Sequence, residues 1–198
     1  MSFEVEIKIK LDDDEKKAVE VYLENKKYLG KSRQVDAYFD TNPPSYARLD
    51  KALRLRMQTA IDSDKNGNDD VIELTFKGPK LNLDSKTRKE LNLDLNNKTK
   101  FETIEIFLFE LGFSNAIKIV KTRKSWTASD IHFSLDKNDL GYYLEIEKII
   151  EAENLIEDAE EDLWILLQKI LDKKLSKNRK ITKSYLQLLL EAGKVTYN

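Results

Sequence analysis

Apolar and polar residues alternate strictly where the chain begins: Phe3, Val5, Ile7, Ile9 and Leu11 share one parity, and Glu4, Glu6, Lys8 and Lys10 the other. A period of two marks a strand with one buried face. Residues 12–29 break that period. They open with Asp12-Asp13-Asp14-Glu15, acids suited to a helix N-terminus, and reach lysines before Gly30, which predicts one helix with Gly30 as its stop. Alternation then returns in Gln34–Asp40, Ala52–Gln58, Val71–Lys77, Lys86–Leu95, Ile117–Lys124, Asp130–Asp136 and Tyr142–Ile149, so that eight strands are predicted.

Between strands, Phe101, Ile104, Leu108 and Leu111 recur at helical spacing with Gly112 behind them, predicting an amphipathic helix over Thr99–Leu111. Beyond residue 150 the period is helical again, through Leu163, Leu166, Leu167, Ile170 and Leu171 and then Ile181, Tyr185, Leu188 and Leu189. Two C-terminal helices follow, the first entered through the acidic stretch Glu151–Asp162. Thr41–Ala47, with Pro43-Pro44, and Ile61–Asp70 read as loops.

Length and charge narrow the classes. A chain of 198 residues suits a single domain over 1–198. Lysine and arginine number 34 against 36 acids, for a net charge of −2, whereas a nonspecific nucleic-acid binder is more basic. Cysteine is absent, which excludes disulfides, thiolate metal sites and cysteine nucleophiles. With an acidic N-terminus and no apolar run of about 18 residues, neither a signal peptide nor a membrane span is expected, and the reading is cytoplasmic.

The polar faces of the strands carry more than solvating groups. Glu4/Glu6 and Glu145/Glu147 are all-acid pairs at i, i+2, while Arg54/Arg56 and Lys121/Arg123 are all-basic. Residues two apart leave a strand on the same side, and like charges so close repel unless a counter-ion sits between them. Carboxylate pairs suit a hard divalent cation, Mg²⁺ or Mn²⁺, and basic pairs suit phosphate oxygens. Eight strands suffice to curl around such a ligand, so the expected fold is α+β: an eight-stranded antiparallel β-barrel, lined with charge, with flanking and C-terminal helices.

These residues also resemble the CYTH group, which includes class IV adenylyl cyclases and thiamine triphosphatases. The opening Glu4-Val5-Glu6-Ile7-Lys8 is similar to its Glu-x-Glu-x-Lys strand. Gln34–Asp40, Ala52–Arg56, Leu74–Pro79, Arg88–Glu90, Lys121–Arg123, Asp136 and Leu140–Glu147 follow in the family's order. The resemblance implies a triphosphate tunnel, with metal held by Glu4, Glu6, Asp136, Glu145 and Glu147. It implies phosphate contacts and catalytic charge from Lys8, Arg54, Arg56, Lys77, Lys121 and Arg123, a further substrate contact from Arg88 oriented by Glu90, and another from Lys183 in the Ser-Tyr segment near residue 184.

The expected partner is ATP or another triphosphate, with no nucleic acid and no membrane; association into a homodimer stays open. A class IV cyclase making cyclic AMP and pyrophosphate is the leading reading, favoured by Lys77-Gly78-Pro79 and the Ser184-Tyr185 tail. Hydrolysis of thiamine triphosphate or inorganic triphosphate is the alternative, and a non-catalytic polyphosphate-binding module a third. Asp62–Glu73 fits an EF-hand loop at most ligand positions, but Asp69 stands where that loop wants an apolar residue and its flanks read as strands, so an acidic hairpin loop is expected. His132, the one histidine, is assigned no role, and Trp126 and Trp164 are read as core.

Overall fold

The computed structural model describes residues 3–41, 45–46, 48–62, 70–80, 88–95 and 100–195. The strands are β1 (Phe3–Leu11), β2 (Lys27–Thr41), β3 (Ala52–Ala60), β4 (Val71–Lys80), β5 (Arg88–Leu95), β6 (Phe113–Ala128), β7 (Ile131–Asn138) and β8 (Gly141–Ile150). The α-helices are α1 (Asp13–Leu23), α2 (Phe101–Glu110), α3 (Ile156–Ile170) and α4 (Tyr185–Glu191). The strands form one sheet in the order β1-β8-β7-β6-β2-β3-β4-β5, which leaves β1 and β5 at its ends.

The chain packs as two compact units, neither of them contiguous in sequence. Of the described residues, the first takes those within 3–31 and 122–182 and the second those within 32–80, 88–121 and 183–195, so β2 and β6 each contribute to both.

In the first unit the apolar parity of β1 is buried against helices. Val5, Ile7 and Ile9 join Phe133, Leu135, Leu144 and Ile146 of β7 and β8 in one core with Val19 and Leu23 of α1 and Leu163, Leu167 and Ile170 of α3. Each such side chain contributes roughly 1.5–3 kcal/mol on leaving water, which commits the opposite parity of the same strands to the other face of the sheet. Trp126 and Trp164 belong to this core. The second unit repeats the scheme: Val35, Ala37, Phe39, Leu53, Leu55 and Ile72 pack with Phe101, Ile104 and Leu108 of α2.

Helix α1 starts where its acids predict, with Asp12 accepting from the Glu15 amide at 2.8 Å and Glu15 accepting from the Asp12 amide at 3.0 Å. It ends at Leu23, six residues short of the expected end at residue 29. The next helical-face positions after Leu23 are lysines 26 and 27, which have nothing to bury, and the chain enters β2 instead. Gly30 therefore lies inside β2, where its φ of 130° is open only to a residue without Cβ. Two long-range bonds bring the later chain to β1: the Ile181 amide donates to the Lys8 carbonyl at 2.8 Å, and Arg179 Nη2 donates to the Lys10 carbonyl at 2.7 Å. Arg179 also grips the buried carboxylate of Glu15, and Lys173 Nζ lies 2.6 Å from it.

Candidate functional site

On the polar face of the first unit, cross-strand register sets the predicted residues in rows. Glu6 stands opposite Glu147, which stands opposite His132, which stands opposite Thr127. In the next row Lys8 faces Glu145, Glu145 faces Ser134, and Ser134 faces Ser125. Arg123 and Asp136 are opposite each other one row further. Directly opposed residues have Cβ atoms roughly 4.5–5.5 Å apart, so each row is a line of contacts.

The burial of this face is what separates it from an ordinary solvated sheet surface. Lys8 is 2% exposed and Asp136 0%, positions where charges persist only when paired. Lys8 Nζ lies 3.2 Å from Glu145 Oε1. Arg123 forks onto Asp136 through Nε and Nη2, both at 2.6 Å, and its Nη2 also bonds Glu145. The result is a chain of alternating charge, Lys8 to Glu145 to Arg123 to Asp136.

Glu147 differs from its neighbours. Burial, followed by Glu4 and with Glu6 and Glu145 adding, raises its carboxyl from 4.5 to about 8 against the opposing pull of Arg123. The carboxylates of Glu4, Glu6 and Glu145 thus all act on Glu147. Among the described residues no three His, Asp or Glu side chains stand ready to hold a metal ion as they are; Asp136 and Glu145 are drawn to Arg123 instead. The donor set nevertheless fits a hard divalent cation. Besides the crowded carboxylates, Ser134 Oγ, on a residue 1% exposed, has no hydrogen-bond partner, and a buried hydroxyl left so is costly unless a ligand completes it.

The basic face belongs to the second unit. Arg56 forks onto Asp36 at 2.6 and 2.7 Å. Burial by itself would raise the pKa of Asp36, but the charge and hydrogen bonds of Arg56, with Arg54 and Lys121 adding, hold its carboxyl well below the usual range. Arg54 Nη2 donates to Glu73 Oε1 at 2.7 Å and to Thr75 Oγ1 at 3.0 Å, while its buried Nε has no partner. Lys77 Nζ donates to Glu90 Oε1 at 2.5 Å. Lys121 is buried, its Nζ 4.9 Å from the ring centroid of Tyr185 on α4.

Sequence reasoning placed Glu90 beside Arg88; the structure pairs Glu90 with Lys77, and the Arg88 side chain lies outside the described residues. Lys183 is exposed and pairs with Glu191 at 2.7 Å rather than joining the buried bases. Lys121 and Arg123, one basic pair in sequence, fall in different units. Asp36, Glu73, Thr75 and Ser134 are not among the expected site residues, although Glu73 and Ser134 lie on the polar parity of their strands. Most of the EF-hand-like loop, residues 63–69, lies outside the described residues.

Against this geometry, the family model described as the CYTH domain matches residues 2–185. The chain belongs to the CYTH family. A relative from Methanocaldococcus jannaschii, provisionally named an adenylate cyclase, is 35% identical over 186 residues, covering 93% of this chain and 97% of its own. Among solved structures, the PH1819 protein of Pyrococcus horikoshii superposes with a TM-score of 0.80 at 29% identity, covering 96% of this chain and 99% of that one. A Hippeastrum protein, HpAC1, reported with a dominant triphosphatase activity, superposes with a TM-score of 0.63 at 14% identity over 99% of this chain and 98% of its own, and bears on the fold alone. Eight antiparallel strands with flanking helices are the α+β arrangement of this family's triphosphate tunnel fold. Within the CYTH frame, the acid-rich face and the base-rich face are carried by different units of one chain.

Proposed function

We propose that this CYTH protein is a metal-dependent enzyme that converts ATP to cyclic AMP and pyrophosphate. The observation that carries the reading is the buried, incompletely satisfied charge on both faces: a partnerless hydroxyl at Ser134 among carboxylates, and a partnerless Nε at Arg54 among bases. Phosphate oxygens would meet the donor at Arg54, and a hydrated divalent ion the hydroxyl at Ser134. The relative named as a cyclase supports ATP as substrate.

In this reading Arg54, Arg56, Lys77 and Lys121 take phosphate oxygens. Asp36 keeps the Arg56 guanidinium flat and aimed, which lowers the ordering cost when a phosphate arrives. Arg123, positioned by Asp136, and Lys8, positioned by Glu145, offset charge on the phosphate under attack. Glu4, Glu6 and Glu147, with Glu145 beside them, would hold a divalent ion, which would supply Lewis-acid charge for the attacking hydroxyl and the phosphate oxygens. The bond that forms joins the ribose 3′-oxygen to the α-phosphorus; the one that breaks joins the α-phosphorus to the pyrophosphate oxygen. The hydroxyl proton leaves to solvent.

Hydrolysis of a triphosphate is the second reading, favoured by the same residues because none of them names the nucleophile. Incubation of the protein with ATP, inorganic triphosphate and thiamine triphosphate, each with Mg²⁺ or Mn²⁺, separates the two by their products. Cyclic AMP with pyrophosphate, lost in Arg56→Ala and Glu6→Ala, is the expected result. Orthophosphate alone would establish the hydrolase, and absence of every product with metal present would leave a binding module.

A further inference from the structure

The polar face of the second unit continues past its bases into an uncharged pair. On β3, Arg54, Arg56 and Gln58 share one side, and on β2 Gln34 and Asp36 share the side that meets them. Register sets Asp36 opposite Arg56, Gln34 opposite Gln58, and Gln58 opposite Val71 of β4. The amide row therefore lies about 7 Å from the Asp36–Arg56 row, room for a ribose between a phosphate on Arg56 and a base on the amides.

Gln34 is 3% exposed. Its Nε2 donates to Gln58 Oε1 at 2.7 Å, and its Oε1, also buried, has no hydrogen-bond partner among the described residues. Pairing with Gln58 thus uses the donor half of the amide and leaves the acceptor half over, which is costly unless a ligand meets it. The row opens outward from there. Gln58 is half-buried, and Val71, on the polar parity of β4 with Glu73 and Thr75, is 56% exposed. An apolar residue in that place gives a flat ring something to lie against, beside a polar edge that orients it.

We propose that Gln34 selects the nucleobase of the triphosphate: its Oε1 accepts from the 6-amino group of adenine, Gln58 Nε2 donates to the neighbouring ring nitrogen, and the ring lies over Val71. This rests on the triphosphate reading above and adds a base-reading residue to it. Adenine sets a donor and an acceptor side by side, the pattern that a glutamine amide matches. Guanine carries a carbonyl where adenine carries the amine, and would set one acceptor against another at Gln34 Oε1. An inorganic triphosphate reaches the arginines without touching the amides.

Calorimetric titration with Mg²⁺ present tests this on the unaltered chain and on Gln34→Leu. The probes are the α,β-methylene analogues of ATP and GTP, which cannot lose pyrophosphate, and an inorganic triphosphate whose bridging oxygens are replaced by imido groups. The adenine analogue should bind the unaltered chain at least about tenfold more tightly than the guanine analogue. In Gln34→Leu that ratio should collapse toward one, while the inorganic probe keeps its affinity. Equal affinity for the two nucleotides, or preference for the guanine analogue, would overturn the assignment and leave the triphosphate reading standing. An equal loss of all three probes in Gln34→Leu would also overturn it, since Gln34 would then only support Arg56. Failure of every probe to bind the unaltered chain would overturn both readings. The ratio measured on the unaltered chain decides the matter where Gln34→Leu does not fold.

Discussion

Replacing Glu147 with glutamine should stabilise the metal-free protein, and more so as pH rises. Burial, then Glu4, with Glu6 and Glu145, lifts this carboxyl from 4.5 to about 8 in the folded state. Here the folded pKa lies above the unfolded one for an acid, so the folded state keeps a proton that the unfolded state releases. The penalty is absent below pH 4.5, grows between 4.5 and 8, and is constant above. The full difference of 3.5 units corresponds to about 5 kcal/mol as a ceiling. Of that, about 3 kcal/mol at most falls between pH 5.5 and 8, and side-chain rotation toward water reduces it to roughly 1–2 kcal/mol. Urea denaturation of chelator-treated wild type and Glu147→Gln at pH 5.5, 7 and 8.5 reads the effect, because groups common to both cancel in the difference. The wild type should lose stability relative to the variant as pH rises. Saturating Mn²⁺ at pH 8.5 should then favour the wild type, since only an ionised carboxylate repays the cost by binding metal. Parallel curves across the range would refute the claim that Glu147 is a buried, crowded acid.

Three further outcomes follow from the same geometry. Asp36→Asn removes the charge that Arg56 forks onto and should cost about 3 kcal/mol in urea denaturation; because the Asp36 pKa is depressed, the wild-type contribution is present above the ordinary range and is lost as pH falls through the folded value. Ser134→Ala deletes a hydroxyl with no partner, so metal-free stability should change by no more than about 1 kcal/mol, while the thermal shift produced by Mn²⁺ should shrink. Glu15→Gln breaks the contact with Arg179, whose hydrogen bond is the largest cause of a Glu15 pKa near 2 rather than 4.5. Its stabilisation is present above pH 4.5 and disappears as pH falls toward 2, and after screening at half-exposed Arg179 and Lys173 it should amount to about 1–2 kcal/mol in acid titrations of the two proteins.

The strands were readable because apolar residues on one parity and charges on the other keep a period of two, even on β5, where Leu91 and Leu93 hold the alternation although both are exposed. Glu4, Glu6, Glu145 and Glu147 were readable as a set for a related reason: like charges two residues apart announce themselves without any knowledge of pairing. Counter-charges that come from a neighbouring strand do not. Asp36 lies between Val35 and Ala37, with Gln34 and Tyr38 at i±2, and becomes meaningful only once β2 pairs with β3 and sets it opposite Arg56. Ser134 and His132 gain their neighbours in the same way, from the pairing of β7 with β8. The early end of α1 was hidden by helix-tolerant lysines, whose charge is compatible with a last helical turn and equally with the first residues of β2. Arg54 and Arg56 were read as awaiting an anion; Glu73, Thr75 and Asp36 already meet part of that demand, while Arg54 Nε is buried with no partner.

The bonds from Ile181 and Arg179 to the carbonyls of Lys8 and Lys10 fall on a strand at the end of the sheet. An end strand rich in Val and Ile, with a flat alternating pattern, invites addition of a foreign strand from another molecule, and natural sheets guard such edges. Here the guard is a segment more than a hundred residues away in sequence, and what it guards is the strand that bears Glu4, Glu6 and Lys8. Loss of those two bonds would leave the Lys8 and Lys10 carbonyls of a charge-bearing end strand open to a strand from another molecule.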